Sequence, residues 1–160
     1  MYKFNKMFVM FSFGFASGLP YMIIISTSTA WLRDVDVDLA YIGFFSWVTF
    51  MYAFKFLWAP LVDRFSIPFL KKYGHRKSWI VLMQFVIFIN LLVLSSTDPK
   101  NDFIFFSLIA FFIALAGSIQ DIAIDAFRIE YADIGDQGSL AATYQFGWRL
   151  AIILATSFAL

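Results

Sequence analysis

Five apolar runs, each long enough to cross a bilayer, leave this chain few folds open to it. Four ionisable residues, Lys55, Asp121, Asp125 and Arg149, sit inside or at the inner edge of three of those runs. The runs cover approximately residues 7–32, 39–62, 78–96, 103–127 and 140–160. Each reaches roughly 19 to 26 residues, which at about 1.5 Å per residue matches a hydrocarbon core of about 30 Å. Helices are the expected form, because membrane-barrel strands alternate over about 10 residues instead. The fold class expected is therefore an all-α integral membrane protein. Composition agrees, with 61% apolar and 14% charged residues and a mean hydropathy of +0.77. Twenty-two Phe and five Trp suit lipid and headgroups, whereas on a water-facing surface they would drive aggregation.

A charge near the bilayer centre costs at least about 3 kcal/mol on insertion scales, so it should face the bundle interior or water and take a partner. Opposite signs at similar depth on different helices point to a polar pathway between helices. Other chemistries find little support. The chain has no cysteine, which excludes disulfides, thiolate catalysis and cysteine metal sites. His75 is the single histidine and lies in a basic loop, so no structural metal is expected. No nucleophile stands beside a base and no phosphate loop is present, so neither an enzyme nor a cofactor is expected. The net charge of +1 gives no reason to expect a nucleic-acid partner. Lys3 and Lys6 ahead of an apolar stretch, with small residues at 15–18, imitate a secretory signal. The run continues to Trp31, too far for a signal core, and a retained span is expected.

Orientation follows from basic residues in short loops. Arg64, Lys71, Lys72, Arg76 and Lys77 lie between the second and third runs, whereas the loops after the first and third carry only Arg33 and Lys100 among aspartates. The N-terminus and the 63–77 loop are thus expected in the cytoplasm. The loop after the fourth run is an exception, since Glu130, Asp133 and Asp136 outnumber Arg128, but acidic residues count little in this rule.

Helical rise puts Lys55 about 10 Å and Asp121 about 9 Å inside the cytoplasmic ends of their runs, a similar depth at which the two can pair. They are the candidates for proton coupling. Gly117, Asp121, Asp125 and Arg128 follow at intervals of four, four and three and share one helix face. For Asp125 and Arg128 the alternative is snorkelling to water. Arg149 lies about 14 Å into the fifth run, with Gln145 one turn earlier on the same face. Its planar fork suits a carboxylate or phosphate; a fixed bridge to Asp121 is the alternative. Gly14 and Gly18 have the spacing of a close helix crossing, and Pro20 weakens the first span where backbone can line a cavity. Ser17 and Tyr21 beside it, with Gln120, Gln145 and Arg149, form the expected substrate cavity. Asp63, Arg64 and Arg76, opposite Asp125 and Arg128, form the expected cytoplasmic gate, unless the basic loop serves only topology.

The segment "APLVDR" at Ala59–Arg64 and "GHRK" at Gly74–Lys77 resemble the loop between helices two and three of the major facilitator superfamily. Ala59 stands where that pattern has a glycine, and residues 65–73 separate the halves. Together with Phe15–Asp34, Ile42–Val48, Lys55–Arg64, Gly74–Ile80, Gln120–Glu130 and Tyr144–Ala151, these segments resemble the AmpG-type muropeptide permeases over nearly the whole chain. The related acetyl-CoA transporter group shares part of the pattern around helices two and four. The resemblance implies an inner-membrane transporter of twelve or more helices in Gram-negative bacteria. Such a transporter imports N-acetylglucosaminyl-anhydromuropeptides with protons, feeding cell-wall recycling and β-lactamase induction. A transporter of another anionic solute such as acetyl-CoA, and a non-transporting remnant, remain open. A half of this superfamily has six helices, and the chain stops at Leu160 within an apolar run. The expectation is an N-terminal fragment of about five helices, whose partners are the lipid bilayer, solute, protons and a missing C-terminal half.

Overall fold

The computed structural model describes residues 2–68, 70 and 74–159. Lys71 and Lys72, and the side chain of Lys3, lie outside the described residues. The described chain is helical, with no strand among the described residues. Helix α1 (Tyr2–Met22) passes through a π-helical turn at Ile23–Thr27 into α2 (Ser28–Asp34). The wide turn follows Pro20, whose ring removes a backbone donor within the helix. Ser28 Oγ donates to the Ile23 carbonyl at 2.9 Å and Thr29 Oγ1 to the Ile25 carbonyl at 2.8 Å. These two hydroxyls, from the polar run Ser26–Thr29, therefore serve the backbone of their own span.

The run expected as one helix over 39–62 is α3 (Leu39–Phe45), a 3-10 turn at Ser46–Thr49, α4 (Phe50–Ala53) and α5 (Lys55–Arg64). The axis bends by 44° where α4 meets α5. Pro60 has no N–H to hold the turn before it, and the bend falls just ahead of that turn, at Phe54. Lys55 thereby becomes the first residue of a new helix direction.

Helix α6 (His75–Ser95) starts at Gly74, whose φ of +95° is the left-handed backbone that glycine tolerates. Side chains of α6 fix the loop before it: His75 Nε2 lies 2.8 Å from the Val62 carbonyl, and Trp79 Nε1 donates to the Phe65 carbonyl at 2.8 Å. Helix α7 (Phe103–Tyr131) and, after a 3-10 turn at Ile134–Asp136, α8 (Gln137–Ala159) complete the chain.

Three helical stretches, Asn5–Asp34, His75–Ser95 and Phe103–Tyr131, are long and apolar enough to cross a membrane, and the bent Leu39–Arg64 pair makes a fourth if counted as one span. Helix α8 has 23 residues but carries Tyr144, Gln145 and Arg149, which lower its apolarity. Helix α7 is central and packs against α1, α4, α5 and α6. Helix α1 packs against α8 through small residues: a methyl at Gly18 would stand 2.7 Å from the Trp148 carbonyl, Gly14 meets Tyr144 backbone, and Gly147 meets Phe11 backbone.

Two apolar clusters result. One gathers Ile24, Leu32, Phe45, Phe106 and Ile113; the other gathers Met10, Val62, Ile80, Ala123 and Phe127. Along α7 they end at Ala116 and resume at Ala123, and Gln120 and Asp121 lie between. Buried Lys6 pairs with Asp133 at 3.3 Å and lies over the Tyr131 ring, tying α1 to the link before α8. Outward-facing Phe85, Phe88, Phe105, Phe146 and Ile153 suit lipid.

Candidate functional site

The polar layer between the apolar clusters opens into a cavity of about 290 Å³. Lys55 from α5, Asp121, Asp125 and Arg128 from α7, and Tyr144, Gln145 and Trp148 from α8 line it. Asp121 and Asp125 share a face because they stand four residues apart on one helix. The bend at Phe54 brings Lys55 to the same place. Two carboxylates and two cations thus meet in a hollow on one open side of the bundle, with Lys55 and Asp125 about half exposed.

The pairing within the cavity differs from the expected one. Lys55 Nζ lies 3.9 Å from Asp125 Oδ2, one turn along from the Asp121 partner anticipated for it. Asp125 also accepts from Arg128 Nη2 at 3.3 Å, a pair three residues apart. Asp121 instead accepts a hydrogen bond from the Tyr144 hydroxyl at 3.2 Å. Its carboxylate is held by a neutral donor, whereas Asp125 is held by cations. Behind it, buried Gln120 reaches Ser17 Oγ on α1 with Nε2 at 3.5 Å. Tyr21 leaves this hydrogen-bonded group and stacks edge-on against Tyr52 at 4.9 Å, with Trp148 at 5.6 Å.

Arg149 is exposed and makes no ion pair among the described residues, so the alternative bridge to Asp121 is not formed. The reason is rotational: α8 turns Tyr144 and Trp148 toward the cavity and α1. Arg149 follows Trp148 by one residue, which is about 100° around a helix. Gln145 and Arg149 remain one turn apart on one exposed stripe, with Gln145 at the cavity margin.

At the helix ends below the cavity, Arg76 is the joining group. Its Nη1 donates to Asp63 Oδ1 at 2.6 Å and its Nε to Glu130 Oε1 at 2.9 Å, linking the ends of α5, α6 and α7. The expected gate set is therefore divided: Asp63 and Arg76 join with Glu130, Asp125 and Arg128 turn to the cavity, and Arg64 is exposed at the end of α5. Reading the sequence missed Glu130 as a partner of Arg76, and Tyr144 and Tyr52 as members of the polar layer. A larger hollow of about 670 Å³ at the other end of the bundle, near Asp36, Asp38 and Asp102, contains none of the expected site residues.

Residues 6–132 match the family described as Acetyl-coenzyme A transporter 1. Among curated relatives, AmpG 4 of Rickettsia conorii is 36% identical over 160 residues, covering all of this chain and 39% of its own length. The anhydromuropeptide permease of Escherichia coli K12 is 35% identical over 147 residues, 92% of this chain and 29% of its own. AmpG 1 of Rickettsia prowazekii is 34% identical over 161 residues. The chain thus spans between 29% and 39% of the length of these relatives. Apolar helices of spanning length and permease relatives together make it part of a multi-pass membrane protein. Because the family match runs from the start of α1 through α7, and so takes in every helix that walls the cavity except α8, the chain belongs to the acetyl-coenzyme A transporter family, with AmpG permeases among its relatives.

Proposed function

We propose that this chain contributes the charged half-cavity of a proton-coupled transporter that imports anhydromuropeptides across the inner membrane, with its N-terminus in the cytoplasm. The observation that carries this reading is the cavity of Lys55, Asp121, Asp125 and Arg128 within an apolar bundle. Asp121 is held by the neutral Tyr144 hydroxyl, so it can take up a proton without leaving a bonded cation unpaired. Lys55 and Asp125 keep their own pairing and sense the change of charge beside them. Gln145 and Arg149, on one exposed stripe, are placed to receive the carboxylates of a peptide, for which a planar guanidinium is suited. Ser17 and Gln120, which meet at 3.5 Å, and Tyr21, which packs against Trp148, stand behind the cavity and back its wall. The groups of the cavity hold and move charge, and the reading includes no covalent chemistry.

The cytoplasmic tie of Arg76 to Asp63 and Glu130, with Arg64 and Arg128 nearby, serves as the gate. Both carboxylates of the tie are exposed, and surface ion pairs are each worth about 0 to 1 kcal/mol, so such a tie biases a conformational equilibrium rather than holding the fold.

A second reading, transport of acetyl-CoA or another acyl-CoA, is favoured by the name of the family matched over residues 6–132. Uptake of labelled anhydromuropeptide and of acetyl-CoA by the intact protein in proteoliposomes, with and without a proton gradient, separates the two. Accumulation of anhydromuropeptide against its gradient, lost in Asp121→Asn while solute exchange persists, is expected. Accumulation of acetyl-CoA alone replaces the first reading with the second, and unchanged accumulation in Asp121→Asn removes the coupling role.

A further inference from the structure

We infer that a water-bearing seam of Gln120, Ser17 and Tyr52, on the side of Asp121 away from the charged cavity, carries protons to that carboxylate. The inference rests on the proton-coupled reading above and adds a route to it. Gln120 is 1% exposed, and its Oε1 has no hydrogen-bond partner among the described residues. Its Nε2 meets Ser17 Oγ only at 3.5 Å, long for a direct bond. Tyr52 Oη, reaching in from α4, is buried and has no partner among the described residues. It lies over Gly117, where a methyl would stand 2.5 Å from it. Gly117 precedes Asp121 by four residues, and Gln120 adjoins it.

A buried polar atom left unpaired costs roughly 1 to 3 kcal/mol. Tyr52 Oη over Gly117, Gln120 Oε1 three residues further along α7, and the Ser17 hydroxyl 3.5 Å from Gln120 Nε2 are polar groups of the kind by which an internal water is held through two to four contacts. Gly117 is what makes room, since any side chain there would displace the Tyr52 hydroxyl.

The groups that face Asp121 are known from each element packed around it: Lys55 from α5, Asp125 on α7 itself, Tyr52 from α4, Tyr144 from α8 and Ser17 from α1. Of these Lys55 is the one cation, and its ion pair is with Asp125. In the orientation given by the basic loop, α7 runs from outside to inside, so Gly117 and Gln120 are outward of Asp121 and the cavity is inward. A hydronium in the seam gives its proton to the Asp121 carboxylate. On the inward side the carboxylic acid gives it to cavity water, and each hop breaks one O–H bond and forms another.

The test uses the intact protein in proteoliposomes loaded with a pH-sensitive dye, with anhydromuropeptide as solute. Proton influx under a pH gradient and solute counterflow without one are measured in parallel. Tyr52→Phe and Gln120→Leu are each expected to slow influx on the order of 100-fold, the low end for a positioned proton relay, with counterflow reduced far less. A packing role predicts the contrary for Tyr52→Phe, because removal of an unpaired hydroxyl leaves a fold unaltered or firmer. If Gln120→Leu does not fold, Tyr52→Phe decides alone. Radiolytic footprinting gives a readout independent of solute: water held against Tyr52 should mark that buried ring, and an unmarked ring overturns the seam. Normal influx in Tyr52→Phe, with influx abolished in Asp121→Asn, overturns the seam and leaves the coupling role of Asp121. Normal influx in Asp121→Asn overturns both.

Discussion

Asp121 and Asp125 are one helical turn apart and meet different chemistry, a phenol on one side and cations on the other. Arg149 is different again, presented on an exposed stripe with no ion pair among the described residues. Arg149→Lys therefore removes geometry and no structural bond. It is expected to weaken solute affinity roughly tenfold, about 1.4 kcal/mol, with the melting temperature unchanged. Uptake kinetics and a thermal melt on the same preparation check it; a normal KM denies Arg149 a place on the solute path. The charged members of the site were legible because an ionisable residue in an apolar run is conspicuous. Glu130 was not, because it stands past the run among other acids and only tertiary packing selects it for Arg76. Tyr52 and Tyr144 were hidden for another reason: a tyrosine suits an apolar helix whether its hydroxyl is used or idle.

Between helices, the governing contact is the α1–α8 crossing, where backbone meets backbone at Gly14, Gly18 and Gly147. Gly14→Leu should destabilise the protein by about 1 to 3 kcal/mol or more, as overpacking does. Gly43→Leu, at a site with nothing within 4 Å, should not. Denaturation of the two variants in the same detergent compares them, and equal stability would deny the crossing its role. The Gly14–Gly18 spacing made one side of this contact readable in advance. Gly147 and its four-residue step to Ala151 drew no notice, since two small residues within an Ala-rich helix carry no periodic signal. The bend at Phe54 and the π-helical turn were also invisible, because hydropathy reports how long a segment is and not how its axis runs.

The molecule as a whole is a polar layer between two apolar clusters, surrounded by outward aromatic side chains. Its orientation is open to direct measurement. Ser66→Cys, exposed in the link between α5 and α6, should react with an impermeant thiol reagent only from the cytoplasmic side, and Asn101→Cys, in the link between α6 and α7, only from the outer side. The reverse pattern would invert the direction of every helix. One contact described above also bears on how the protein is made. Lys6 and Asp133 are 127 residues apart in the chain. At about 5 to 20 residues per second, a ribosome needs roughly 6 to 25 s to synthesise that interval. Throughout that time the first helix resides in the bilayer with the glycine groove that α8 later fills still uncovered, which makes nascent α1 a client for whatever membrane factor shelters unfinished spans.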